Sequence, residues 1–319
     1  MATFTADATT SASRKGVWSW MLFDWANQPF YTLIITFIFA PYFAAEVASD
    51  AAAGQALWAN VTALAGFTIA LLAPVLGAIA DQSGPRKPWI AAFSLLFILG
   101  CSGLWLAAPG AESLTLVLLF FLIAFVGSEF MLIFTNAMLP DLGPREEIGR
   151  ISGSGWAMGY AGGVLVLILV LLFLSPSPGK STTLLGIAPL FGLDPAEGEP
   201  ARATGPLTAL WFAVFAIPLF LYTPDAPRRA RTEGAIGKGL RQLKETVLSL
   251  PGKGTLLTYL IAAMLYRDGL AALFIFGGIF ASGVLGWGLF ELGVFGIIAA
   301  FTGAIGAWIG GQADRAYGP

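Results

Sequence analysis

Histidine is absent from this 319-residue chain, cysteine occurs once, and Asp, Glu, Lys and Arg together make up only 11% of it. The missing imidazole excludes His-ligated zinc, His general-base catalysis and His proton relays. The single thiol, Cys101, lies in an apolar run and has no partner for an intrachain disulfide. There is no solvated basic domain to bind nucleic acid. No metal site and no cofactor is expected. What is abundant is apolar surface: 57% of the residues are hydrophobic and the mean hydropathy is +0.78. Soluble domains carry about 25% charged and about 45–50% apolar residues. The surplus cannot be hidden in one water-soluble core, so the chain reads as an all-α polytopic membrane protein.

A helix crosses the hydrocarbon layer with roughly 20 apolar residues. That length predicts eight spans: Val17–Ala45, Leu57–Ala80, Trp89–Ala108, Ser113–Met138, Gly153–Leu174, Leu207–Tyr222, Leu256–Ala281 and Gly288–Gly311. With the N-terminus inside, the inner segments hold 14 of the 17 Lys and Arg residues. Lys180 and Arg202 are outside and Arg267 is within a span. The positive-inside rule then puts both termini in the cytoplasm. The first apolar stretch is too long for a cleaved signal peptide. The tryptophans near span ends, among them Trp18, Trp20, Trp58, Trp89 and Trp287, read as interfacial anchors.

The expected organisation is a disordered cytoplasmic tail over 1–16, a six-helix bundle over 17–223, a basic linker over 224–254 and a partial second bundle over 255–319. In the linker, seven basic residues face Asp225, Glu233 and Glu245. Ile236, Leu240, Leu243, Val247 and Leu250 recur at helical spacing, predicting an amphipathic helix on the anionic inner leaflet, with a partner-binding helix as the alternative. The outer segment Ser175–Pro206, rich in Pro, Gly and Ser, is expected to be a flexible cap.

One motif occurs twice. Gly77-x-x-x-Asp81 with Gly84, Arg86 and Lys87 closes span two, and Gly310-x-x-x-Asp314 with Arg315 and Gly318 closes span eight. Secondary transporters are often built from duplicated halves. Against a complete duplication, about four helices would be missing from the second half.

The loop after span two resembles the cytoplasmic signature of the major facilitator superfamily. Three further segments, at Trp20–Asn27, Asn136–Asp141 and Ser152–Gly163, narrow the resemblance to its vacuole-effluxer-like (autophagy-related) branch. The expected fold is therefore a six-helix N-terminal bundle plus the first two helices of a C-terminal bundle. The resemblance implies alternating-access transport, amino-acid efflux in the vacuolar members, and a central cavity lined by spans one, four and seven. It also implies that the Asp81 motif latches one half to the other, and that this chain belongs in a bacterial inner membrane.

Charge in lipid marks the candidate site by a separate argument. An acidic side chain at mid-helix costs about 2.5–3.5 kcal/mol on insertion scales, so it should border a cavity or a partner. Asp24 and Asn27 fall in span one, Glu129 and Asn136 in span four, and Arg267 and Asp268 in span seven. They are expected to form a polar cluster, with Glu129 as the proton-coupling carboxylate and Arg267 pairing with it or gripping an anionic substrate. The alternative is that they are structural ion pairs. Asp314 should face the start of span five, near Arg150 and Ser152. Gly155, Gly159 and Gly163 suit close helix packing. They also resemble the span-five antiporter signature superficially, with Tyr160 where a proline is expected. The expected function is a non-enzymatic secondary transporter for a small polar solute, with membrane lipid and protons as its other partners. An inactive or assembly-type fragment, or a lipid-modifying enzyme, are the alternatives.

Overall fold

The computed structural model describes residues 12–48, 50–110, 114–177, 180–227, 235–283, 285 and 289–318, and among these there is no β-strand. Among the described residues eleven α-helices follow in order: α1 Arg14–Pro29, α2 Phe39–Tyr42, α3 Ala51–Ser83, α4 Lys87–Gly103, α5 Leu114–Asn136, α6 Arg145–Phe173, α7 Glu199–Arg202, α8 Thr204–Tyr222, α9 Ala235–Ser249, α10 Gly254–Gly283 and α11 Leu289–Tyr317. Seven described helical segments are long and apolar enough to cross a membrane, and they correspond to predicted spans one to six and eight. The predicted seventh span lies within α10. It counts as an eighth crossing if α10 and the short helix before it, which meet at 106°, form one bent span.

By contact the chain divides into two units. One comprises Met1–Ile69, Pro85–Pro227 and Ala300–Pro319; the other comprises Ala70–Gly84 and Arg228–Ala299. In the first, α1 packs on α6 and α8, and α4 packs on α5 and α8. Phenylalanines fill the seams. Phe30 lies edge-on to Phe97 and Phe125 and stacks on Phe121, while Phe212 meets Phe23 and Phe97 edge-on. In the second, α9 runs over Ala235–Ser249.

The first span is not one regular helix. Ser13 caps α1 by accepting from the Gly16 N–H at 3.1 Å. The helix therefore begins at Arg14, inside the stretch expected to be a disordered tail; residues 1–11 of that tail lie outside the described residues. Beyond Pro29 the chain winds as a π-helix over Phe30–Phe37, turns once as α2, and winds as a π-helix again over Phe43–Val47. Proline has no N–H to offer the carbonyl four residues back. For Pro29 that carbonyl is Trp25 O, and it is taken instead by the indole N–H of Trp211 on α8, at 3.2 Å. The ladder is satisfied from outside the helix, as a proline in lipid requires.

Two expectations need correcting. Trp20 is only 1% exposed and donates its indole N–H to Thr135 O at 2.8 Å. It serves the carbonyl end of α5 and is not an interfacial anchor. Trp58 stacks on Phe121, and Trp89 stacks on Phe134. Trp18, 52% exposed, fits the anchor reading, and Trp287 lies outside the described residues. Nor is the 175–206 segment loose. Its described residues form short turns at Leu190–Gly192 and Pro195–Glu197, and then α7. Arg202 donates to Trp105 O at 2.8 Å with its guanidinium over the Trp105 ring, and Pro200 is buried. Proline content here fixes turns that pack on the end of α4.

Candidate functional site

The centre of the first unit is a chain of polar side chains joining α1, its π-helical continuation and α5. Tyr31, at the start of the π segment, donates to Glu129 Oε1 at 2.6 Å. Ser128 Oγ lies 3.2 Å from Tyr31 Oη and 3.1 Å from Asn27 Oδ1. Its single proton serves one of these oxygens at a time. Asn27 is 2% exposed and Ser128 is fully buried. The sequence argument named Asn27 and Glu129 but passed over Tyr31 and Ser128. An aromatic hydroxyl and a serine in apolar runs carry no charge signal, and their importance follows only from the π-helical turn that aims Tyr31 at α5.

Asp24 is close in sequence yet on another seam. Its carboxylate lies against α6, where a Cβ built on Gly155 would sit 2.7 Å from Asp24 Oδ2 and one on Gly159 would sit 3.4 Å from Asp24 Cβ. Residues three apart sit about 60° from each other around a helix of 3.6 residues per turn, and here that offset is enough to turn Asp24 toward α6 and Asn27 toward Ser128 of α5. The contact continues upward. A Cβ at Gly162 would sit 2.9 Å from Trp25 O, and one at Gly163 would collide with Thr32 Oγ1. Asn136 closes α5 and is exposed; no hydrogen bond joins it to the Tyr31–Glu129 chain among the described residues. Arg267 and Asp268 belong to α10 in the second unit, and both are exposed.

The duplicated motif ends both of its helices in the same way. Gly84 takes φ +89° and donates to Ala80 O at 3.0 Å; Gly318 takes φ +84° and donates to Asp314 O at 2.9 Å. A left-handed glycine closing the last turn is the standard device for stopping a helix. The side chain of Asp81 lies outside the described residues, and a Cβ at Gly77 or Gly310 would point into open space. Asp314 can be placed. A Cβ at Gly149 would collide with its carboxylate, and Gly311 approaches Gly149 O and the Cα of Gly153. Beside it, Arg315 Nε pairs with Glu147 Oε1 at 2.7 Å, and Glu147 also holds Arg150. The end of α11 therefore docks on the first turns of α6.

Arg86 and Lys87 have further work at the start of α4. Asp225 accepts from the backbone N–H of Arg86 at 2.8 Å and from that of Lys87 at 3.0 Å. A carboxylate on free N–H groups at a helix start is favoured by both the orphan donors and the dipole. Lys87 Nζ donates to Phe220 O at 2.9 Å, serving the carbonyl end of α8, and Arg86 lies 3.6 Å from Asp141. Asp225 was counted in the sequence only as one acid in a basic linker.

No group of three or more His, Cys, Asp or Glu side chains able to hold a metal occurs among the described residues. The family model described as vacuole effluxer Atg22 like matches residues 54–318. The uncharacterized MFS-type transporter YxiO of Bacillus subtilis (strain 168) is 25% identical over 258 residues, covering 80% of this chain. The chain spans 57% of that relative's own length. With multi-pass topology, a transporter-type relative and a family match over most of its length, the chain belongs to the vacuole effluxer Atg22-like family of the major facilitator class.

Proposed function

We propose that this chain provides the proton-coupled part of a secondary transporter that exports a small polar solute, an amino acid being the first class to test. Both termini are on the cytoplasmic side in this reading. One observation carries it: Glu129, a carboxylate in a membrane-spanning helix, is joined through Tyr31 to a π-helical stretch of span one. Intramembrane ionisable groups mark functional pathways by default, and π-helical turns occur often at functional sites.

The hydrogen-bond chain gives protonation a mechanical consequence. While Glu129 is ionised it only accepts, so Tyr31 donates to it and Ser128 is free to donate to Tyr31. Once protonated, Glu129 becomes a donor. Tyr31 must then accept, its own proton turns toward Ser128, and Ser128 must donate to Asn27. One proton thereby reverses two of the bonds that tie span four to span one and commits the Ser128 proton to Asn27. Asp24 lies outside this chain and is proposed to tune the α1–α6 seam.

The test is flux in proteoliposomes loaded with a mixture of labelled amino acids, comparing gradient-driven export with exchange at equal pH. Glu129→Gln should lose the gradient-driven component and keep exchange. Full gradient-driven flux in that variant would overturn the assignment of Glu129, and absence of both fluxes in the unmodified chain would overturn the transport reading for this chain.

A further inference from the structure

The segment between α6 and α8 displays large apolar side chains that the packed interior does not explain. Leu184, Leu185, Ile187, Leu190 and Phe191 are all exposed, Phe191 by 90%. Phe191 also takes φ +65°, a left-handed conformation uncommon for a residue with a bulky side chain. Such a set costs free energy in water, where contiguous exposed apolar patches mark interaction sites. The backbone places the segment beside the membrane-spanning helix and not above it: Leu184 N–H reaches back to Leu171 O within α6, at 3.4 Å.

Below this segment runs a groove of about 210 Å³ between α6 and α8, whose walls include Val166, Val170, Phe173, Leu207 and Trp211, with Phe191 at its mouth. Trp211 is the one wall residue with a side-chain polar group, and its N–H is already committed to Trp25 O. Apolar cavities of this kind do not hold ordered water. Val166 is eight residues from Leu174, so the groove descends about 12 Å at 1.5 Å per residue. It is continuous with the apolar outer faces of the same helices, where Leu165, Ile168 and Leu169 of α6 and Leu210, Val214 and Ile217 of α8 are exposed. In a membrane those faces meet lipid.

We propose that this groove holds one acyl chain of a phospholipid from the adjacent leaflet, and that the Leu184–Phe191 segment dips into that leaflet to close over it. The depth, the apolar walls and the continuity with the lipid-facing surface fit a hydrocarbon chain, and Lys180, exposed just before the segment, suits the level of the phosphates. The site is independent of the Glu129 chain and of the transport reading.

The test uses the full chain in phosphatidylcholine–phosphatidylglycerol vesicles. Leu185→Cys and Phe191→Cys are labelled with bimane, with Glu197→Cys as an exposed reference on the same segment; the native Cys101 is buried and stays unlabelled. Lipids brominated on the acyl chain should quench the labels at 185 and 191 several-fold more than that at 197, and aqueous iodide should show the reverse order. A diazirine-acyl phosphatidylcholine should form its adducts on residues 166–174 and 207–211 in preference to the remaining lipid-facing residues. Equal iodide quenching at all three positions, or adducts spread evenly over every helix, would overturn the proposal. Protection of 185 and 191 that vanishes when protein is diluted in lipid would assign the face to a second copy of the chain and would equally overturn it.

Discussion

The glycine row on α6 permits a graded experiment. Each glycine meets α1 at a different clearance, so replacing each by alanine adds the same methyl group to four different environments. At Gly159 the new carbon would lie 3.4 Å from Asp24 Cβ, an ordinary contact. Alanine there should capture the helix-propensity gain of about 0.8–1.0 kcal/mol over glycine. At Gly162 it would lie 2.9 Å from Trp25 O and 3.0 Å from the Trp25 ring. That carbonyl is backbone, and it is held by Trp211 as well, so it has little room to yield. Overpacking a filled interior costs about 1–3 kcal/mol, which cancels or exceeds the propensity gain. Gly155→Ala should fall between, because it presses on the end of the Asp24 side chain and the edge of Trp20. Gly163→Ala collides with Thr32 Oγ1 and should group with Gly162→Ala. The spread across the series is then about 1–3 kcal/mol, or several degrees in melting temperature at about 2–4 °C per kcal/mol for a body of this size. Thermal unfolding of the purified variants, followed by tryptophan emission, reads the order directly. If Gly159→Ala were destabilised as much as Gly162→Ala, the α1–α6 seam as described would be wrong.

Three further substitutions address other contacts. Tyr31→Phe removes a hydrogen bond to a carboxylate, a class worth about 1.5–3 kcal/mol; it should lower the melting temperature of the unmodified chain and have a much smaller effect in a Glu129→Gln background, which a double-mutant cycle measures. Asp225→Ala strips two N–H groups at the start of α4 of their acceptor and should cost about 0.5–2 kcal/mol, while Asp225→Asn keeps one acceptor oxygen and should cost less; hydrogen exchange should rise at both Arg86 and Lys87 in the first variant and at one of them in the second. Glu147→Gln breaks the ion pair with Arg315 at a half-exposed position, so the loss should stay within about 1 kcal/mol and shrink as salt is raised, measured by the same melts in low and high salt.

The membrane class and the helices were legible because apolar runs of spanning length have few other uses, and the duplicated motif because both copies end in the same cap. Charge in lipid drew attention to Glu129 and Asp24, and helical spacing to Asn27, but periodicity alone could not divide Asp24 and Asn27 between different neighbours. Tyr31 and Ser128 escaped notice because neutral hydroxyls in apolar runs are common. The π-helical winding was equally hidden: proline at 29 announces a break in the ladder without saying which outside donor will answer it. Composition also misjudged the 175–206 segment, since prolines and glycines suit tight packed turns as well as loose ones.

The indole of Trp211 and the ring of Pro29 are halves of a single arrangement, although 182 positions separate them in the chain. Wherever an evolving relative reverts the imino acid to an ordinary residue, its restored amide would compete for the same oxygen and leave the indole stranded. Substitutions at these two positions should therefore arise together. A laboratory variant altering one alone should be rescued in part by altering the other, so that the pair behaves as a bolt through neighbouring rods rather than as two separate decorations.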